Sequence, residues 1–218
     1  MTDEEKIRKT ACFLKEKLAE NPYYSSHESA YRYRIEHSHR VAKIGKTIAE
    51  KEGLDVCAMV VACLLHDIAY CEEFQSEKDW LNHGRRSAAI ARPFIETLGF
   101  DEKTKADILF GIAIHVDDES DFAGERTVFA ETIGEADNID RFGAYRIHEN
   151  LAACGFLEMS TSERKEYLGK SIAKLENCLS IGFSTETGRK LWEDAIGFYL
   201  EYLKRLEHQI RQSEFVNV

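Results

Sequence analysis

DVCAMVVACLLHDIAY, residues Asp55–Tyr70, runs through ten apolar residues, Val56 to Leu65, without a polar break and straight into His66 and Asp67. A helix apolar on every side is a buried helix. Its end therefore carries an imidazole and a carboxylate into or beside the core. A buried carboxylate is tolerated only when a cation, a metal or strong hydrogen bonds match its charge. Partners for His66 and Asp67 must come from elsewhere in the chain. Taken alone, the pair also fits a structural helix end, with Asp67 bridged to an arginine.

The flanking sequence reads as helix throughout. Thr2–Ala19 is amphipathic, with Ile7, Ala11, Leu14 and Leu18 on one face. Asn21-Pro22 ends it, and Tyr23–Tyr33 is expected to be a polar, aromatic connector with a short helix. The tyrosines there (Tyr23, Tyr24, Tyr31, Tyr33) read as packing against the bundle. Val41, Ile44, Ile48 and Ala49 mark the next helix, with His37 at its start and Gly53 at its end. Asp55 caps the buried helix, and Cys71–Asn82 reads as a polar loop. His83-Gly84 opens a helix in which Pro93 is expected to cause a kink, and Asp101 starts another that ends near His115. Val116–Gly124 is an acidic loop, and Thr127–Ala136 is helical and leads into ADNIDR. Two long helices, Thr161–Leu179 and Thr185–Gln212, close the chain. The expectation is an all-α, single-domain bundle over 1–218. Its final helix is expected to form a homodimer surface or to close over the bundle.

Six residues stand out as candidate ligands: His37, His66, Asp67, His83, His115 and Asp137. Apart from the adjacent pair, each belongs to a different turn or helix end. Imidazoles with carboxylates and no thiolate suit Mn, Fe, Zn, Ni or Co. The spacing is too wide for a zinc finger or an HExxH site, so the set acts together only if several helices converge.

His37-Ser38-His39-Arg40-Val41, then Leu64-Leu65-His66-Asp67-Ile68-Ala69, then Ala136-Asp137 resembles the HD superfamily of metal-dependent phosphohydrolases. The resemblance spans residues 33–141, with 142–218 expected to complete the bundle. Asn82-His83-Gly84 with Ser87-Ala88, and Ile112-Ala113-Ile114-His115, resemble stretches of the two-metal members. Carried onto this chain, the resemblance implies one ion held by His37, His66, Asp67 and Asp137. It implies a second held by His83 and His115, with Asp67 bridging, and Mg joins the list of metals. Asp140 is the rival of Asp137, and His39 of His37; the AD dipeptide and the HxxRV spacing favour the first of each pair.

The chemistry so implied is hydrolysis of a phosphate mono- or diester by a metal-activated water, with His66 and Asp67 at the catalytic centre. Arg40, Arg85, Arg86 and Arg141 are the candidate phosphate clamps, Arg85 and Arg86 in a helix first turn that favours anions. Asp67, Glu72 or Glu73 is the candidate base. The substrate class implied is a nucleotide or another small phosphorylated metabolite. Two rival readings use the same ligands: a di-iron oxygenase, and a non-catalytic metal- or ligand-binding module.

Composition trims the options. A formal net charge of −10 opposes a surface for duplex nucleic acid. No apolar run reaches the ~18 residues of a membrane span. The charged N-terminus does not read as a signal peptide. Six cysteines without a CxxC pair read as free thiols in a reduced, cytoplasmic compartment. His27, His148 and His208 read as surface or packing residues.

Overall fold

The computed structural model describes residues 1–213, in which every regular element is a helix. The last five residues of the expected C-terminal segment lie outside the described residues. Two compact units are present, Met1–Asp140 and Arg141–Val218.

In the first unit, α1 (Asp3–Leu18) starts at a capping box made by Thr2 and Glu5. Pro22 opens the short α2 (Pro22–Ser26), where its missing N–H costs nothing. α3 (Glu28–Glu52) begins well before the expected point, so His37 stands in its third turn, inside the helix. The connector yields to helix because Tyr31 and Ile35 pack against the core, and that burial outweighs the polar look of the segment. Gly53 then closes α3 in the left-handed region, at φ 70°.

α4 (Val56–Leu65) is capped by Asp55, whose carboxylate accepts from Ala58 N at 2.9 Å. Every residue from Cys57 to Leu65 is buried. α4 packs against α1 and α3. Each such Val, Leu or Met contributes about 1.5–3 kcal/mol. Gly45 of α3 allows the close approach, since a Cβ there would lie 2.6 Å from Cys63 Sγ.

The expected loop contains a helix, α5 (Glu77–Leu81), because Ser76 and Asp79 cap one another. α6 (His83–Ile95) tightens after Pro93 into a 3-10 turn at Glu96–Leu98. Asp101 caps α7 (Glu102–Ile114), which packs on α4 and α6. α8 (Val128–Arg141) runs beyond Ala136, placing Asp137 and Asp140 on helix.

In the second unit, α9 (Ala144–Ala153) is a helix that sequence periodicity did not single out. α10 (Thr161–Cys178) starts at the capping box of Ser160 and Glu163. It packs along α11 (Glu186–Gln212). Among the described residues, no helix is long and apolar enough to cross a membrane.

Candidate metal centre

His66, His83 and His115 share one local device. His66 and His115 are the C-caps of α4 and α7, and His83 lies just past the end of α5. The last carbonyls of a helix have no intrahelical partner. Each imidazole turns back and gives its Nδ1–H to the carbonyl three residues earlier. His66 donates to Cys63 O at 2.7 Å and His115 to Ile112 O at 2.7 Å. His83 donates to Trp80 O in the same way. A carbonyl only accepts, so Nδ1 carries the proton and Nε2 presents its lone pair inward. His37 sits inside α3, where carbonyls are already used. Its Nδ1 turns instead to a side chain, Asp140 Oδ2, at 2.8 Å.

The four Nε2 atoms meet on Asp67 and Asp137. Asp67 Oδ2 lies 3.4 Å from His37 Nε2 and 3.6 Å from His66 Nε2. Its other oxygen, Oδ1, lies 3.1 Å from His83 Nε2 and 3.6 Å from His115 Nε2. Asp137 Oδ1 is 3.2 Å from His37 Nε2 and 3.7 Å from His66 Nε2. One carboxylate thus faces two histidine pairs, and the second lies nearest the first pair. The turn carrying Asp67 is pinned to α6 where Ala69 N donates to Ser87 Oγ at 3.0 Å. Gly84 lets α6 reach α7, since a Cβ there would lie 2.5 Å from Ala113 O and 3.1 Å from His115 Nδ1.

The electrostatics follow from burial among unlike charges. Burial alone would raise the Asp67 carboxyl, but His66 and Arg34 hold it well below the usual range. Asp137 is likewise held down by His37 and His66 against its burial. Burial opposes charge on His37, yet its bonds to Asp137, Asp140 and Asp67 outweigh that and raise it to about 10. The negative charge that holds this proton would hold a metal cation in its place.

The donor set fits a divalent metal. The Nε2 atoms of His66 and His115 are buried without a hydrogen-bond partner, which is costly unless something accepts their lone pairs. Donor atoms of His37, His66 and Asp67 lie within 4.8 Å of one another, as do those of Asp67, His83 and His115. A third such group, His66, His115 and Asp137, links the two.

All six candidate ligands therefore converge, while His39 falls in none of the groups found among the described residues. The arginines behave differently. Arg40 grips Asp140 through Nε at 2.7 Å and a terminal nitrogen at 3.1 Å. Arg85 pairs with Asp117 at 2.9 Å, and Arg86 with Glu72 near the surface. Arg141 is exposed at the end of α8. The arginine at the cluster is Arg34, which no motif had marked. It pairs with Asp67 Oδ2 and lies 3.5 Å over the Tyr70 ring. Its place, one turn before His37 on α3, falls between the tyrosine connector and the helix expected to start near His37, where no motif residue stood. Asp140, considered only as a rival of Asp137, is what holds His37.

Residues 34–141 match the HD domain family. Among solved structures, an HD-superfamily hydrolase from Bacillus thuringiensis has a TM-score of 0.67 at 20% identity, covering 98% of this chain and 100% of that one. Bacillus subtilis YpgQ, solved in complex with ADP, gives 0.63 at 20%, covering 96% and 97%. A predicted HD superfamily hydrolase from an uncultured Thermotogales bacterium gives 0.60 at 22%, covering 93% and 91%. The fold is that of these proteins. No curated protein gives a significant match.

Proposed function

This chain carries an HD domain over residues 34–141, and on that premise we propose that it is a metal-dependent phosphohydrolase acting on a nucleotide or another small phosphorylated metabolite. One observation carries the reading. The two oxygens of Asp67 face two separate histidine pairs, and a buried Nε2 in each pair lacks a partner. His37, His66, Asp67 and Asp137 would hold one divalent ion, and His83 and His115 a second beside the shared Asp67. Four imidazoles favour Mn, Fe, Co, Ni or Zn over Mg, which prefers oxygen donors. When bound, such ions lower the pKa of a bound water and neutralise charge on phosphoryl oxygens.

The chain's own groups set the stage for that chemistry. Three backbone carbonyls and Asp140 fix which nitrogen of each histidine faces the centre. Arg34 fixes Asp67 and brings a fixed cation to the centre, where phosphate charge would gather. Arg40 acts through Asp140, holding it against His37. Bacillus subtilis YpgQ bound to ADP makes nucleotides the first compounds to try.

The test is phosphate or pyrophosphate release from a panel of nucleotides and small phosphate esters, under anaerobic conditions. Chelated protein would be compared with protein reloaded with Mn2+ or Co2+. Metal-dependent release, lost by at least about a hundredfold in Asp67→Asn, is expected. Equal activity in Asp67→Asn would overturn the assignment, as would substrate-dependent oxygen uptake without hydrolysis in a parallel assay run in air.

A further inference from the structure

Beside the centre lies a cavity of about 420 Å³ that the ligand set does not use. Five rings line it: Tyr23 and Tyr24 from α2, Tyr33 from α3, and Tyr70 and Phe74 from the segment after Asp67, with Arg34, Glu72 and Glu73 among them. We propose that this cavity is a nucleobase subsite, which takes the planar ring of a nucleotide whose phosphates reach the metal centre. The assignment rests on the phosphohydrolase reading for its purpose, and its test is independent of hydrolysis.

The cavity adjoins the centre through shared walls. The Tyr33 ring is stacked on His37 with centroids 5.9 Å apart. Tyr70 and Phe74 lie 5.4 and 6.1 Å from the His83 ring. Arg34 faces both ways, paired with Asp67 and lying over Tyr70. A ligand seated on these rings is one side chain away from the carboxylate that both histidine pairs share.

The walls are also pre-formed. Asn21 is buried, and its Nδ2 donates to Tyr70 O at 3.0 Å and Glu72 O at 3.1 Å. Its Oδ1 accepts from Tyr23 N at 2.9 Å. One side chain therefore fastens the start of α2 to the segment after Asp67, so little ordering remains for a ligand to impose.

The residue types select a ring. Aromatic faces and a stacked guanidinium attract a flat π-system more than an aliphatic chain, and base stacking of this kind tolerates different bases. Packing accounts for Tyr31, which donates to Lys15 O at 3.0 Å and lies against the core. Tyr23 is stacked on His27, with centroids 3.9 Å apart, yet stays 48% exposed at the cavity edge.

The probes are adenosine, which has no phosphoester to cleave, and inorganic phosphate. Binding of each would be measured by NMR titration of the metal-loaded protein. Adenosine affinity is expected to fall about tenfold in Phe74→Ala and in Tyr23→Ala, with phosphate affinity unchanged. Tyr23 is exposed enough that its removal leaves the fold intact, which secures the result if Phe74→Ala misfolds. Adenosine that fails to bind, or binds both variants as it binds the wild type, overturns the subsite. Adenosine binding that depends on the rings, in a protein that cleaves no phosphate ester, retains the subsite and rejects the hydrolase. Ester cleavage without ring-dependent adenosine binding does the reverse.

Discussion

Gly84→Ala tests how the second histidine pair is assembled. The added Cβ would meet Ala113 O at 2.5 Å, Ile112 O at 3.2 Å and His115 Nδ1 at 3.1 Å. Ordinary contact begins near 3.4 Å, so the nearest of these falls about 0.9 Å short. Two of the three atoms are backbone oxygens, and the third belongs to a ring already bonded to Ile112 O. None can swing aside, so α6 and α7 must separate. Overpacking of this kind costs about 1–3 kcal/mol, read as a drop in urea midpoint. The functional effect is more specific. His83 opens α6 and His115 caps α7, so their separation removes the second pair from Asp67 while His37, His66 and Asp137 keep theirs. Metal content by mass spectrometry, on protein purified without a chelator, is expected to fall from about two equivalents to about one. Gly134→Ala is the control. Its Cβ would meet His115 backbone atoms at 3.4 Å, an ordinary contact, and alanine gains up to ~1 kcal/mol in helix propensity. A Gly84→Ala protein that keeps both its midpoint and its metal would refute this account of α6 against α7.

Asp140→Asn should lower metal affinity about 10- to 100-fold, because His37 loses the carboxylate that orients it; competition with a chromophoric chelator measures this, and unchanged affinity would make Asp140 structural only. His83→Ala is expected to cost one metal equivalent and Asp67→Asn both, as the shared carboxylate demands; equal losses in the two variants would contradict that division. In chelated protein, Asp67, Asp137 and Asp140 have native pKa values below their ordinary 3.8. The unfolded chain therefore binds more protons in acid, and stability present above about pH 4 is lost as pH falls further. His37 acts in the opposite sense, its contribution being full below 6.5 and lost as pH rises through about 10. Thermal melts across pH 2–10 should follow that dome, and a curve flat in acid would count against the buried carboxylates. Burial pushes the Cys57 thiol up to about 12, and Cys63 is raised too, whereas Cys12 is exposed. Iodoacetamide should label Cys12 first and leave Cys57 and Cys63 until the protein unfolds, as mass spectrometry would show.

The sequence by itself determined the helical class, the central buried helix and the six residues that folding brings together. Those properties are local: an unbroken apolar run must be buried, Asp55 and Gly53 bracket its start, and His66-Asp67 at its end announces a charge that needs partners. It also marked Asp101 and the region of His115, because caps and short spacings act within a turn or two. What it could not show were relations between distant turns. Arg34 pairs with Asp67 across 33 positions, and His37 with Asp140 across 103. Arg40 looked free for phosphate until folding placed Asp140 beside it. Tyr23 and Tyr33 read as packing, and only folding sets them in one cavity wall with Tyr70 and Phe74. A side chain's partner depends on which helices meet, and helix meeting is set by close packing at positions such as Gly45 and Gly84, where one methyl group decides the approach. Periodicity shows which face of a helix is buried; only the packed helices decide what that face touches.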